Sequence, residues 1–189
     1  MEKETRETVL KIFPEVSGIA DPEIRAQVVR CWARAIEALP ETGFRTLEEV
    51  PFSPDIPECT LPQHIRWVLA AALHMAESAE KAMGMKVNRD LLAAAALLHD
   101  LGKAFEYGRS EGKHGKTEIG KKFMHGFWGA HVALSEGVSR ELGHLISTHT
   151  HVSPVHAQTI EGVILHYADY AHADLLRVRK GMSLFLAMK

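Results

Sequence analysis

The chain has 189 residues, and its 22 Lys and Arg residues against 24 Asp and Glu residues give a formal net charge of −2. This length predicts one domain, with room for a small appendage. The near-balanced charge gives no general reason to expect a nucleic-acid or membrane partner, although it leaves a small anionic substrate open. Two isolated cysteines, Cys31 and Cys59, a charged first segment and short apolar runs lead us to expect a cytoplasmic protein.

Helical signals dominate from the N-terminus onward, and because no convincing alternating strand is found, the predicted class is all-α. A helix that begins after the N-cap residue Asp21 should stop before Pro40. Residues 40–60 hold four prolines and are predicted to be mostly irregular, with one short helical turn near Leu47. We therefore predict a small N-terminal helical extension over residues 1–60.

Residues 61–189 form the second predicted unit. A long helix should begin near Pro62, with one apolar side. A second helix, from about Arg89 to Leu101, is almost wholly apolar and is predicted to be buried and central. A loop rich in glycine and lysine follows over residues 104–124, either as a solvated connection or as a lid over an anionic substrate. The remaining helices are predicted near residues 125–135, 139–150 and 157–178.

Histidine is the residue type that stands out, with twelve in the chain. It is the commonest metal ligand and the proton carrier of neutral pH. His99 and Asp100 are adjacent at the end of the apolar helix. A buried, unpaired carboxylate there would be costly, and the partial negative charge of a helix C-terminus also favours a cation. Metal ligation explains this pair, while a surface-facing pair at a helix end is the alternative.

Two further positions complete a candidate ligand set. His64 shares a helix side with apolar residues four apart, so it is expected to point inward, and His74, further round the same helix, competes for its role. Asp169 lies in the middle of an apolar helix, where a carboxylate needs a cation. One turn earlier, His166 is either a partner behind the site or a hydrogen-bonded core residue. Asp174 fits less well, since nearby arginines supply an ordinary ion pair.

His125 and His149 are the next candidates. His125 opens a predicted helix with small residues that permit close approach, and His149 continues an apolar helix side. Either one alone is typical of a core histidine bonded to the backbone. Both together, in a chain with the His99-Asp100 pair, favour metal ligation.

These residues, in this order, resemble a known signature. His64, then His99-Asp100 followed by Leu-Gly-Lys, then Asp169, is similar to the H…HD…D pattern of the HD superfamily of metal-dependent phosphohydrolases in its HDxGK form. The resemblance covers about residues 60–175 and implies a helical bundle with a metal site between its core helices. It implies metal ligation by His64, His99, Asp100 and Asp169, and also by His125 and His149 as in members that hold two ions.

The activity implied by the resemblance is hydrolysis of a phosphate ester, by a water that one or two divalent ions activate, with Asp100 as a bridging carboxylate. Lys103 either holds a phosphate oxygen or compensates the helix end. Mixed histidine and carboxylate ligands suit Mn, Fe, Co, Ni or Zn better than Ca. The expected substrate is a nucleotide or a related small phosphorylated metabolite. The alternatives are a nuclease for single-stranded nucleic acid and a non-catalytic metal-binding regulatory module.

Overall fold

The computed structural model describes residues 3–185 of the chain. Its helices are α1 (Lys3–Ile12), α2 (Pro22–Thr42), α3 (Leu61–Met83), α4 (Arg89–Leu98), α5 (Lys103–Glu106), α6 (Glu118–Lys122), α7 (His125–Ser135), α8 (Arg140–Thr148) and α9 (Ile160–Arg179). Short 3₁₀ turns lie at Pro14–Gly18 and Leu47–Glu49. None of the helices formed by residues 3–185 has the length and apolar character that crossing a bilayer requires. Helices dominate, so the predicted all-α class is confirmed.

Helix ends follow the predicted capping chemistry, with one correction. The Asp21 carboxylate accepts from two N–H groups of the first turn of α2, and Thr60 and Gln63 form a capping box that starts α3. The prediction that the helix stops before Pro40 was wrong, because α2 continues to Thr42. Pro40 lies inside the last turn, where it has no N–H to donate to the carbonyl four residues earlier, and Gly43 ends the helix at φ 81°.

One hydrophobic core joins the predicted N-terminal extension to the rest of the chain. The clearest link is Trp32 of α2, which is fully buried and donates its indole N–H to the Leu97 carbonyl of α4 at 3.0 Å. The apolar helix α4 packs against α2, α3, α8 and α9, so it is central as predicted. The division at residue 60 stays a prediction, and it does not coincide with a break in this core.

Two small antiparallel ribbons correct the prediction that the chain holds no strand. The first pairs β1 (Pro51–Ser53) with β2 (Ile56–Thr60), inside the segment expected to be irregular. The second pairs β3 (Tyr107–Ser110) with β4 (Lys113–Lys116), inside the predicted loop 104–124, which also holds α6. Alternation could not show β4, because this strand reads Lys-His-Gly-Lys and is wholly exposed.

Candidate metal centre

The regular helix gives way to turns at the His99-Asp100 pair. Helix α4 ends at Leu98 instead of the predicted Leu101, and two tight turns then lead into α5. Gly102 makes this possible, since a Cβ added there would lie 2.0 Å from the His125 carbonyl oxygen and 2.9 Å from the Gly129 nitrogen. The turn therefore packs backbone against backbone on the first turn of α7, and this contact brings His125 towards Asp100.

The first donor group joins His64 of α3, His99, Asp100 and Asp169 of α9. The His64 Nε2 atom lies 3.2 Å from His99 Nε2, 3.2 Å from Asp100 Oδ2 and 3.1 Å from Asp169 Oδ1. His99 Nε2 lies 3.8 Å from the same Asp169 oxygen. All four residues are buried. The donor atoms of His64, His99 and Asp100 thus lie together, and the Asp169 oxygen lies beside the two imidazoles.

The second donor group uses the other oxygen of the same carboxylate. Asp100 Oδ1 lies 3.4 Å from His125 Nε2 of α7 and 3.7 Å from His149 Nε2 at the end of α8. The ligand atoms within each of the groups His64–His99–Asp100 and Asp100–His125–His149 lie within 4.8 Å of one another. Asp100 therefore stands between two groups that could each hold a metal ion, with one oxygen facing each.

The hydrogen bonds of the His99 and His149 imidazoles are compatible with a cation beside Asp100. The Nδ1 atoms of His99 and His149 lie 2.8 Å and 2.7 Å from the carbonyl oxygens of Ala96 and Ile146, so Nδ1 carries the proton and donates. Each Nε2 then presents a lone pair towards Asp100, which is repulsive without a cation between them. His149 Nε2 is buried and has no hydrogen-bond partner. A divalent ion would satisfy these atoms.

Comparison with known proteins gives the family. The HD domain family model matches residues 62–174, a span that includes every donor residue described above. The chain belongs to the HD domain family. Dihydroneopterin 2',3'-cyclic phosphate phosphodiesterase of Methanocaldococcus jannaschii is 31% identical to it over 168 residues, which cover 83% of this chain and 66% of that protein. The chain thus spans slightly less than two thirds of that relative's length, and no solved structure matches it.

Glu106 is a residue of the HD site that the sequence did not reveal. Its Oε2 atom lies 3.1 Å from His125 Nδ1, and its Oε1 atom pairs with Lys116 Nζ of β4 at 2.8 Å. Burial lowers the pKa of His125, although Glu106 and Asp100 oppose that shift. His125 therefore stays neutral, with its Nε2 lone pair directed at Asp100. The sequence signal that could have indicated Glu106 is its position as a single carboxylate in the otherwise apolar stretch Ala-Phe-Glu-Tyr.

Replacing Glu106 with glutamine should weaken binding of an ion at His125 and His149. The amide occupies the same volume but lacks the charge that fixes the His125 ring, and such changes behind a ligand typically cost about 10- to 100-fold in metal affinity. A calorimetric titration with metal measures this loss of affinity. The matched control is Glu118→Gln, since Glu118 forms an exposed ion pair with Lys121 at 2.7 Å. Equal metal affinity in both variants would contradict a positioning role for Glu106.

His172 is the second residue that sequence reasoning missed. It lies one turn after Asp169 on α9, and its Nδ1 atom is 2.7 Å from Nδ1 of His64. Its ring stacks on Trp67 at a centroid distance of 4.7 Å. Burial, together with the neighbouring His64, lowers the pKa of His172 to about 4, so the ring is neutral. This contact fixes the orientation of the His64 ring and turns its Nε2 atom towards the carboxylates.

Lys103 is the cation that accompanies Asp100 in this structure. It is 7% exposed, its Nζ atom lies 2.7 Å from Asp100 Oδ2, and it sits 4.1 Å from the centroid of the Phe52 ring. Burial raises the pKa of Asp100, but the neighbouring groups, with the Lys103 ammonium first among them, outweigh burial and hold that pKa well below its usual range. Burial is likewise outweighed at Asp169, chiefly by its hydrogen bond with His64, and the pKa of Asp169 is lowered. Both carboxylates are therefore ionised at neutral pH.

The remaining candidates lie outside the two donor groups. His74 is exposed on α3, with Nδ1 2.8 Å from the Ala70 carbonyl. Asp174 accepts from the backbone N–H of Phe185 at 2.7 Å. His166 lies behind His149, with Nδ1 2.8 Å from its carbonyl oxygen. A bond to this backbone carbonyl is compatible with both alternatives for His166, a partner behind the site and a hydrogen-bonded core residue.

Proposed function

We propose that this HD domain is a metal-dependent phosphohydrolase whose substrate is a small phosphorylated metabolite carrying a 2',3'-cyclic phosphate. The observation that carries the proposal is the position of Asp100, which directs one carboxylate oxygen to each of two donor groups. That arrangement suits a pair of ions from the set Mn, Fe, Co, Ni and Zn, which would be held by His64, His99, Asp100, Asp169, His125 and His149. The cyclic phosphate in the name of the 31% identical relative supports the substrate class.

The side chains of the centre have separate roles in the proposed reaction. Bound divalent ions supply Lewis acidity and lower the pKa of water. Asp100 and Asp169, ionised and buried, provide the negative charge that retains such ions. Lys103 can donate to a non-bridging phosphate oxygen once cations engage Asp100, which it pairs with here. The side chains of His125 and Asp169 are 19% and 12% exposed, so substrate would approach on their side of the centre.

An apolar cleft beside the second donor group supports a small substrate with a planar ring. Its volume is about 470 Å³, and its lining includes Phe123, Phe127 and Val155. Met124 and Thr148, the residues directly before His125 and His149, also line it. A cleft of this size suits one small molecule. We assign it to the ring system, with the phosphate at the metal centre.

The reaction balances with water as the only co-reactant. Water adds to phosphorus, one of the two ester P–O bonds of the ring breaks, and the freed ribose or side-chain oxygen takes a proton. The product is a phosphomonoester. An in-line attack is compatible with a phosphate placed between the two donor groups.

We expect the protein, reconstituted with Mn, to hydrolyse 2',3'-cyclic GMP and dihydroneopterin 2',3'-cyclic phosphate at least about 100-fold faster than a single-stranded RNA dodecamer. Phosphomonoester release, followed by chromatography, measures each rate. The metal-free protein is the control. Preferred cleavage of the RNA would favour the nuclease alternative. Tight metal binding without turnover of any of these esters would favour a regulatory module.

A cytoplasmic location stays a prediction.

A further inference from the structure

The outward face of α9 is apolar, although a helix face in contact with water is normally polar. Its exposed residues are Val163, Tyr167, Ala171, Leu175, Val178 and Arg179. The large apolar members are 49% to 61% exposed. A surface helix ordinarily directs charged and polar residues outward and keeps its apolar residues for the core. Here the spacing of four, four, four and three residues draws one continuous apolar stripe along the helix.

The stripe has no role in the metal centre. Asp169 and His172 lie on the opposite, buried side of the same helix. The neighbouring helix α3 extends the exposed apolar surface with Trp67, Met75 and Met83. Between α3 and the first turns of α9 lies a groove of about 570 Å³, which these methionines and Val163 help to line. A contiguous apolar surface of this kind marks an interaction site.

We propose that this face is a homodimer interface, in which α9 packs antiparallel against α9 of a second copy about a two-fold axis at Ala171. The stripe is self-complementary about that residue. Tyr167 and Leu175 lie four residues to either side of it, and Val163 and Val178 lie eight before and seven after. A two-fold operation therefore places Tyr167 against Leu175 of the other copy, twice, as an isologous interface requires. The small side chain of Ala171 permits close approach at the crossing point.

The charges at the ends of α9 and the exposed apolar area of this face both fit a second copy of the chain as the partner. Antiparallel packing brings Glu161, near the start of α9, towards Arg179 at the end of the other α9, and it opposes the two helix dipoles. It also places Val178 of the second copy at the groove beside Val163. A standard interface takes about 800 Å² from each partner. The seven exposed large apolar side chains supply most of this at roughly 100 Å² each.

Sedimentation velocity tests the proposal on the full chain. We expect a species of twice the 21.0 kDa chain mass, and Leu175→Glu should raise the dimer dissociation constant at least about 100-fold by burying an unpaired carboxylate. The matched control is Leu134→Glu on α7, where the leucine is 47% exposed but lies off this face. Metal content and the circular dichroism spectrum verify that each variant is folded. A monomeric wild type, or a dimer that Leu175→Glu leaves intact, would overturn the proposal.

A cysteine at the axis tests the antiparallel arrangement separately. Ala171→Cys places two thiols across the two-fold axis, near enough for a disulfide, and should give a covalent dimer under mild oxidation. The native thiols of Cys31 and Cys59 are buried and do not compete. Leu134→Cys should stay monomeric on a denaturing gel. Equal cross-linking of both variants would contradict an axis at Ala171. Because neither experiment measures hydrolysis, failure here leaves the proposed activity untouched, and the reverse also holds.

Discussion

Replacing Asp100 with asparagine is expected to remove metal binding and hydrolysis together. The two oxygens of this carboxylate face different donor groups, at 3.2 Å from His64 Nε2 and at 3.4 Å from His125 Nε2. The substitution removes the charge from both. Changes behind a ligand already cost about 10- to 100-fold, so we expect the loss of a shared ligand to exceed about 100-fold in metal affinity and in turnover. Elemental analysis and the cyclic-phosphate assay measure the two losses on the same sample.

The control for this substitution is Asp174→Asn. Asp174 lies on α9, near Asp169, and accepts a backbone hydrogen bond from Phe185. The Asp174→Asn variant should keep both its bound metal and its activity. Asp100→Asn also leaves Lys103 buried beside a neutral amide, so the free energy of unfolding must be measured for it as well. A folded Asp100→Asn protein that retained its ions would contradict the shared-carboxylate centre.

The second large effect is expected from Gly102→Ala. The added Cβ meets backbone atoms of α7 at 2.0 Å and 2.9 Å, and backbone cannot move aside as the end of a flexible side chain can. The turn between α4 and α5 must then separate from α7. This would withdraw His125 from Asp100 and expose part of the core. We expect the free energy of unfolding to fall by about 3 kcal/mol or more, measured by urea denaturation.

Gly115→Ala is the matched control, because Gly115 lies in β4 with nothing within 4 Å of an added Cβ and without a positive φ. Its unfolding midpoint should differ little from that of the wild type. If Gly102→Ala unfolded at the same urea concentration as Gly115→Ala, the close packing of the turn on α7 would be wrong.

The donor residues could be predicted because they carry chemistry that the surrounding sequence does not explain. Asp100 and Asp169 stand in apolar helices, where an ionised carboxylate needs a partner. Helical spacing then selected His64 by its inward side, and the structure places His74 on the surface. The residues predicted as ligands lie together in the structure, although whether they bind metal stays a prediction.

The partners behind the ligands could not be predicted, since only tertiary structure brings them near. Glu106 reaches His125 across the contact between the α4–α5 turn and α7, and the sequence does not show that contact. His172 reaches His64 across the α3–α9 interface. The second ribbon was not predicted for a different reason, because a strand as short and exposed as β4 buries no alternating face. The HD signature likewise says nothing about the apolar stripe of α9.

Metal stoichiometry tests the central claim most directly. The protein should be stripped with a chelator, reconstituted with Mn, and analysed for metal per chain beside His64→Ala and His149→Ala. The structure predicts two ions in the wild type and one in each variant, because each substitution removes a ligand from a different side of Asp100. No bound metal in the wild type, or the same single ion in all three proteins, would contradict a two-ion centre shared at Asp100.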